Sequence, residues 1–107
     1  MNQFPFNTPV SIQSVSSLYP QVAAMDVLRL DQIHPVISGN KWYKLQYYLA
    51  LAVRNNYPGI VTWGGAWSNH IVATAAAAAL LKLPCVGIIR GEEPKLLSAT
   101  LQSARAY

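Results

Sequence analysis

Residues 59–91, GIVTWGGAWSNHIVATAAAAALLKLPCVGIIRG, contain the clearest structural pattern in this chain. Two short β-rich runs, residues 60–63 and 85–91, lie on either side of an alanine-rich stretch that follows Ser68 and stops at Pro84. A strand, a helix and a second strand in this order predict a right-handed crossover and a parallel sheet. The small alanine side chains are expected to let this helix approach the sheet closely.

Helical patterns lie on both sides of this unit. Apolar residues at helical spacing predict a helix over residues 42–55, which is closed by the turn residues of NNYPG. After the second strand, EEPKLLSATLQSARAY predicts a third helix over residues 92–107, with Glu92 and Glu93 at its positive end. Helices packed on a parallel sheet make an α/β fold, and the sheet here is a partial one.

The N-terminal part of the chain has weaker signals. Residues 1–20 carry three prolines among serines and asparagines, which predicts an irregular lead-in with a short extended piece at residues 10–12. The alternation in residues 25–30, MDVLRL, predicts a strand at the margin of a sheet.

The composition has too little charge to cover a free-standing surface. Charged residues make up 11% of the chain and hydrophobic residues 52%, whereas roughly a quarter of an average soluble domain is charged. A helical pattern also still runs at Tyr107. We therefore expect a truncated piece whose apolar faces are covered by the remainder of a longer polypeptide or by another subunit.

Several kinds of protein are disfavoured. The longest apolar run, residues 71–81, is shorter than the ~20 residues that a membrane span needs. No secretory signal pattern is visible at the start, so a cytoplasmic location is expected. The net charge of +4 comes from eight basic residues spread singly, which argues against nucleic-acid binding.

The cysteine and histidine content predicts no metal site. Cys85 is the single cysteine, and its apolar surroundings favour a small buried side chain over a reactive thiol. His34 and His70 are the two histidines, and neither has an acidic residue or a cysteine at metal-ligand spacing.

The turn WGGAWSNH, residues 63–70, is the first place where a ligand is expected. Gly64 and Gly65 permit backbone conformations closed to other residues, and Ser68 or Asn69 can cap the following helix. The free N–H groups and the dipole of a helix start favour an anion. The alternative is a plain turn with a capping serine. The motif is neither a dinucleotide fingerprint nor a Walker loop.

Lys41 and Lys44 form the second candidate site. Lys41 lies at the positive end of the first predicted helix, where a cation is unfavourable. Lys44, three residues on, shares its face, so the two ammonium groups disfavour each other's charge. A neutral lysine amine is what attack on a carbonyl group requires. The alternative is a pair of solvated lysines.

The two stretches SGNKWYKLQYYL and GGAWSNHIVATAAAAALLKLPCVGIIRGEEP together resemble the aminocyclopropane-carboxylate deaminase and D-cysteine desulfhydrase family. This family consists of pyridoxal-phosphate enzymes with the tryptophan-synthase β-subunit fold. The resemblance covers about residues 25–94 and rests on the order and spacing of several motifs. It implies that the chain is the N-terminal part of such an enzyme, with residues 1–40 as a lead-in that belongs to the larger domain and residues 41–107 as the truncated first part of the smaller α/β domain.

The resemblance also implies roles for five residues. Lys41 binds pyridoxal 5′-phosphate covalently and takes part in proton transfer, and Lys44 lies close to the cofactor phosphate. Asn69 hydrogen-bonds the phenolic oxygen of the cofactor. Ser68, with the backbone of Asn69 and His70, holds the carboxylate of a small amino-acid substrate. The full-length protein is expected to be a homo-oligomer.

Departures from the family pattern leave the substrate open. Ser38 replaces a glycine, and Trp42-Tyr43 replaces a small residue and an arginine. Family members are about three times as long, so we expect these 107 residues to bind the cofactor weakly and not to turn over. The alternatives are a non-catalytic α/β module that binds an anionic ligand at the Ser68 turn or pairs with another chain through its apolar faces, and a stand-alone nucleotide-phosphate binder.

Overall fold

The computed structural model of the chain describes residues 9–107, so the first eight residues of the predicted lead-in lie outside the described part. Four strands, three α-helices and two single 3-10 turns follow one another. The strands and helices are β1 Ile12–Ser14, β2 Asp26–Leu28, α1 Lys41–Arg54, β3 Ile60–Gly65, α2 Asn69–Leu80, β4 Cys85–Arg90 and α3 Ala99–Arg105. The 3-10 turns are Ser16–Leu18 and Leu30–Gln32.

Strands β3 and β4 form the predicted parallel sheet. Ile60 pairs with Cys85 and Gly65 with Arg90, so both strands end at the same edge. Helix α2 connects the strands and packs on them, and α1 and α3 pack on α2. The predicted α/β architecture, a partial parallel sheet with flanking helices, is therefore confirmed.

Strands β1 and β2 form a separate antiparallel ribbon. Ile12 pairs with Leu28 and Ser14 with Asp26. The extended piece predicted at residues 10–12 is found two residues later, and the strand predicted at residues 25–30 pairs with β1 and not with the parallel sheet. Each strand has only three residues, and all six are exposed.

Helices α1 and α2 end in the same way. Asn56 and Lys82 follow the two helices with φ angles of 53° and 56°. The next amide, of Tyr57 in one case and Leu83 in the other, donates to a carbonyl five residues earlier at 2.9 Å. This left-handed cap satisfies carbonyls at the helix end, and a proline follows it in both places.

The third helix is shorter than predicted. Glu92 and Glu93 do not begin it: they lie in an exposed loop, and α3 starts at Ala99. Ser98 is the N-cap, because its hydroxyl accepts a hydrogen bond from the Leu101 amide at 3.1 Å. Gly91, at φ +103°, turns the chain out of β4 before the glutamates. A capping serine therefore sets the helix start, and the acidic pair does not.

The buried core lies mainly between α1 and α2. Trp42, Leu45 and Leu49 of α1 share one cluster with Ala73, Ala76 and Ala77 of α2. The alanines thus bring α2 close to α1 as well as to the sheet. The sequence predicted only their role at the sheet. Ile33 and Ile37, from the loop before α1, complete this cluster.

The other face of the parallel sheet is open. Val61, Trp63, Val86 and Ile88 point away from α2 and are 53–69% exposed. Because Val61 pairs with Val86 and Trp63 with Ile88, these side chains form one apolar patch, here called the open sheet face. Within residues 9–107, no helix is both long and apolar enough to cross a bilayer.

Candidate active site

A cleft of about 610 Å³ lies where the starts of α1 and α2 face α3. Lys41 of α1 and Asn69 of α2, which the sequence predicted to share a site, both line it. The other walls come from the loop before α1, from Val72 and from one side of α3. They are formed by Pro35, Val36, Ser38, Gly39, Asn40, Ala99, Thr100, Ser103 and Tyr107.

Lys41 is the first residue of α1 and is partly buried. Its amine donates a hydrogen bond to the Asn40 side-chain oxygen at 3.0 Å. Gly39, at φ +64°, turns the chain into the helix, and its amide donates to the Leu30 carbonyl at 2.8 Å. Among residues 9–107 the one ion pair is Arg29–Asp31, so no carboxylate offsets the lysine charge at this helix start.

Lys44 is exposed and does not line the cleft. Burial lowers the pKa of His70, and the positive charges of Lys41 and Lys44 lower it further. Each of the two lysines therefore lies within electrostatic reach of His70. The His70 imidazole favours its neutral form for these reasons.

The His70 ring faces the protein interior and does not line the cleft. Its Nε2 atom lies 2.8 Å from the Thr62 hydroxyl of β3 and 3.4 Å from the Thr74 hydroxyl. The Thr74 hydroxyl also donates to the His70 carbonyl at 2.7 Å. The ring thus joins the first turn of α2 to β3, a role that sequence reasoning missed.

The Ser68 turn joins β3 to α2, as predicted. The Ser68 amide donates to the Gly65 carbonyl at 3.1 Å, and Asn69 begins the helix. Ser68 is the N-cap by backbone position, but its side chain makes no capping hydrogen bond. Asn69 is exposed and lines the cleft, whereas Ser68 is half-buried and does not line it.

The reason predicted for Gly64 and Gly65, a backbone conformation closed to other residues, is wrong. Among the described glycines only Gly39 and Gly91 have positive φ angles. Gly64 is required by a close approach, because a Cβ atom there would lie 2.8 Å from the Ile71 side chain and 3.0 Å from the Ser68 hydroxyl. A Cβ at Gly65 would meet nothing closer than 3.8 Å.

The loop before α1 is ordered by a histidine. The His34 Nδ1 atom accepts hydrogen bonds from the amides of Val36 and Ile37 at 3.1 and 3.0 Å. Val36 lines the cleft and Ile37 is fully buried. His34 therefore fixes one wall of the cleft, and its position just before a proline is the one signal in the sequence that could have indicated this.

The lining of the cleft fits pyridoxal phosphate in its chemistry. It offers an amine on Lys41, amide groups on Asn40 and Asn69, and hydroxyl groups, and none of the described residues that line it is an aspartate or a glutamate. A volume of about 610 Å³ is also within the range of small-molecule and cofactor sites. Such a site suits an anionic ligand that carries a carbonyl group.

The described residues give less support to thiol chemistry or to a metal site. Burial raises the pKa of the Cys85 thiol, which makes it less reactive. No group of three or more histidine, cysteine or acidic residues in residues 9–107 could hold a metal ion.

Known proteins resemble this chain in sequence. No family model matches it. D-cysteine desulfhydrases of Yersinia pestis (strain Pestoides F) and Salmonella newport (strain SL254) are 33% and 30% identical to it over 94 residues. The match includes 83% of this chain but only 28% and 29% of these relatives, so the chain spans less than a third of their length.

The fold has a solved counterpart. A crystal structure described as an ACC deaminase homologue superposes on 85% of this chain with a TM-score of 0.72 and 30% identity. The overlap is 30% of that protein. It supports the fold predicted from the sequence, that of pyridoxal-phosphate enzymes of the tryptophan-synthase β-subunit type. In sequence and in fold, the matched residues of this chain belong to the aminocyclopropane-carboxylate deaminase and D-cysteine desulfhydrase family.

Proposed function

We propose that this chain is part of a pyridoxal-phosphate-dependent deaminase or desulfhydrase that acts on a small amino acid in the cytoplasm. Aminocyclopropane carboxylate and D-cysteine are the substrate types that its relatives suggest. The observation that carries the proposal is the cleft that Lys41 and Asn69 both line, with no acidic side chain among its lining residues in the described part of the chain.

Lys41 would attach the cofactor and later take part in proton transfer to or from the substrate. Its amine donates a hydrogen bond to the amide oxygen of Asn40 and, among residues 9–107, forms no ion pair with a carboxylate. Lys44 lies three residues further along α1 and would interact with the cofactor phosphate from the rim. When bound, the cofactor ring accepts the electrons of the bond that breaks.

The start of α2 would orient both ligands. Asn69 lines the cleft, and its side chain would hydrogen-bond the phenolic oxygen of the cofactor. The Ser68 hydroxyl, which caps nothing, and the backbone amides of Asn69 and His70 would hold the substrate carboxylate. A carboxylate at this helix start is stabilised by the free N–H groups and the dipole.

The chain alone is expected to bind the cofactor weakly and to release no product, since it has less than a third of the length of its relatives. A non-catalytic module that pairs with another chain is the second candidate, favoured by the open sheet face. The first candidate requires Lys41 for attachment of the cofactor, whereas the second does not require Lys41.

Site-specific attachment of the cofactor tests the proposal. We expect pyridoxal phosphate, fixed with borohydride and located by peptide mass analysis, to label Lys41 ahead of Lys82 and Lys95. In Lys41→Ala this label should disappear. In Lys44→Ala it should persist, but with an affinity about tenfold or more lower, because a hydrogen bond to a charged group contributes roughly 1.5–3 kcal/mol.

Lys95→Ala is the matched control, since Lys95 is exposed and lies away from the cleft. Its labelling at Lys41 should equal that of the unmodified chain. Equal labelling of Lys41 and Lys95 at every concentration would count against the proposal and favour the non-catalytic module.

A further inference from the structure

We propose that Ser98 is a positioning residue for the cleft. Its hydroxyl joins the start of α3 to the turn that leads into Asn69, and so fixes two walls of the cleft relative to each other. The link to cofactor binding rests on the proposed function, whereas the coupling between α3 and the turn stands without it.

The Ser98 hydroxyl makes two hydrogen bonds at once. It accepts from the Leu101 amide at 3.1 Å, and it donates to the carbonyl of Ala66, which lies 32 residues earlier. Ser98 is only 9% exposed, so little water is present to replace either partner. A buried hydroxyl whose donor and acceptor are both used has one preferred orientation.

The Ala66 carbonyl belongs to the turn between β3 and α2. That turn is closed by the Ser68 amide on the Gly65 carbonyl, and Asn69 follows directly. On the other side of Ser98, Ala99, Thr100 and Ser103 of α3 line the same cleft as Asn69. One hydroxyl therefore holds the two segments that line the cleft from opposite sides.

Capping of α3 explains the bond to Leu101 but not the bond to Ala66. Any serine at a helix start can accept from the third helical residue. Donation to a carbonyl in a different segment has no part in capping. This second bond is the one that gives Ser98 a role beyond the stability of α3.

Substitutions can separate the two bonds. Ser98→Asp keeps an acceptor for the Leu101 amide but has no proton for the Ala66 carbonyl. Ser98→Asn has both an acceptor oxygen and a donor N–H group. Ser16→Ala is a matched control, because the Ser16 hydroxyl also bonds a backbone amide and carbonyl, those of Met25, in the β1–β2 ribbon away from the cleft.

Amide hydrogen exchange without any cofactor gives the first readout. In Ser98→Asp we expect residues 65–70 to exchange about tenfold faster while α3 stays protected, with Ser98→Asn and Ser16→Ala close to the unmodified chain in both segments. Unchanged exchange in residues 65–70 of Ser98→Asp would overturn the proposal. Equal acceleration throughout the chain would also overturn it.

Two further measurements keep the test informative. In the unmodified chain, residues 65–70 and α3 should open with the same dependence on urea, and separate opening would contradict the coupling. Labelling of Lys41 by pyridoxal phosphate should fall several-fold in Ser98→Asp and not in Ser16→Ala. Absence of labelling in the unmodified chain refutes the proposed function alone, because the exchange result does not depend on it.

Discussion

Lys41 occupies a position that costs the helix stability. A cation at the first residue of α1 opposes the dipole, and the described part of the chain supplies no carboxylate near it. The single hydrogen bond to Asn40 does not remove this cost. Residues that are locally unfavourable and face a cleft are characteristic of functional sites, where stability is exchanged for activity.

The sequence indicated which groups are present at the site but not how each is used. Lys41 and Asn69 were assigned to one site on the family resemblance, and both line the same cleft. The role of the His70 ring depends on Thr62, eight residues earlier on another element, and could not be predicted from spacing. The functional roles of all five residues remain predictions.

His70 should make stability depend on pH. Its pKa in the fold is lowered from 6.5, first by burial and then by Lys41 and Lys44. The unfolded chain therefore binds the proton more readily, so the His70 contribution is fully present above pH 6.5 and is lost as pH falls through the lowered pKa.

Urea unfolding between pH 7.5 and 4.5 measures this effect. The loss of stability on acidification should be smaller in His70→Gln than in the unmodified chain. Subtracting one loss from the other removes the contribution of the other titratable groups, because both proteins contain them. Parallel curves for the two proteins would show that His70 is not responsible.

At the level of helices and strands, prediction succeeded where local signals agree. Apolar periodicity and the Asn, Pro and Gly residues after α1 and α2 gave both helices to within a few residues. The predicted start of α3 is wrong because Glu92 and Glu93, which favour a helix start, lie in the loop after β4. Ser98, followed by Ala-Thr-Leu, was the local signal for the actual start. Its bond to Ala66 has no local signal.

Gly64 and Gly65 should respond differently to the same change. Gly64→Ala forces a Cβ to within 2.8 Å of Ile71, and is expected to destabilise the fold by about 1–3 kcal/mol. Gly65→Ala has room and should be close to neutral. Thermal unfolding of the two variants measures this contrast. Similar destabilisation in both would mean that backbone conformation, and not proximity to Ile71, requires the glycines.

For the whole molecule, the open sheet face is the main departure from a self-contained domain. The low charge content predicted apolar surface in need of a cover, and the structure places such surface on one side of β3 and β4. Whether further polypeptide or another subunit covers it stays a prediction. Exposed apolar patches of this kind mark contact sites or aggregation risks.

A hydrophobic dye can detect this face. We expect 8-anilinonaphthalene sulfonate to fluoresce with the unmodified chain and several-fold less with Trp63→Lys, because Trp63 belongs to the patch and is 69% exposed. Tyr48→Lys is the matched control, since Tyr48 is 70% exposed on α1. A larger decrease in the control would place the apolar surface on α1, and circular dichroism checks that both variants fold.

The three core alanines of α2 have a consequence for the ligand. Ala73, Ala76 and Ala77 lie in the cluster that joins α2 to α1, and interaxial distance depends on the side chains at such a contact. Lys41 begins one of these helices and Asn69 begins the other. The width of the cleft is thus set by methyl groups that never touch a ligand. Enlarging any of them would change the separation of amine and amide, and with it the size of molecule that fits between them.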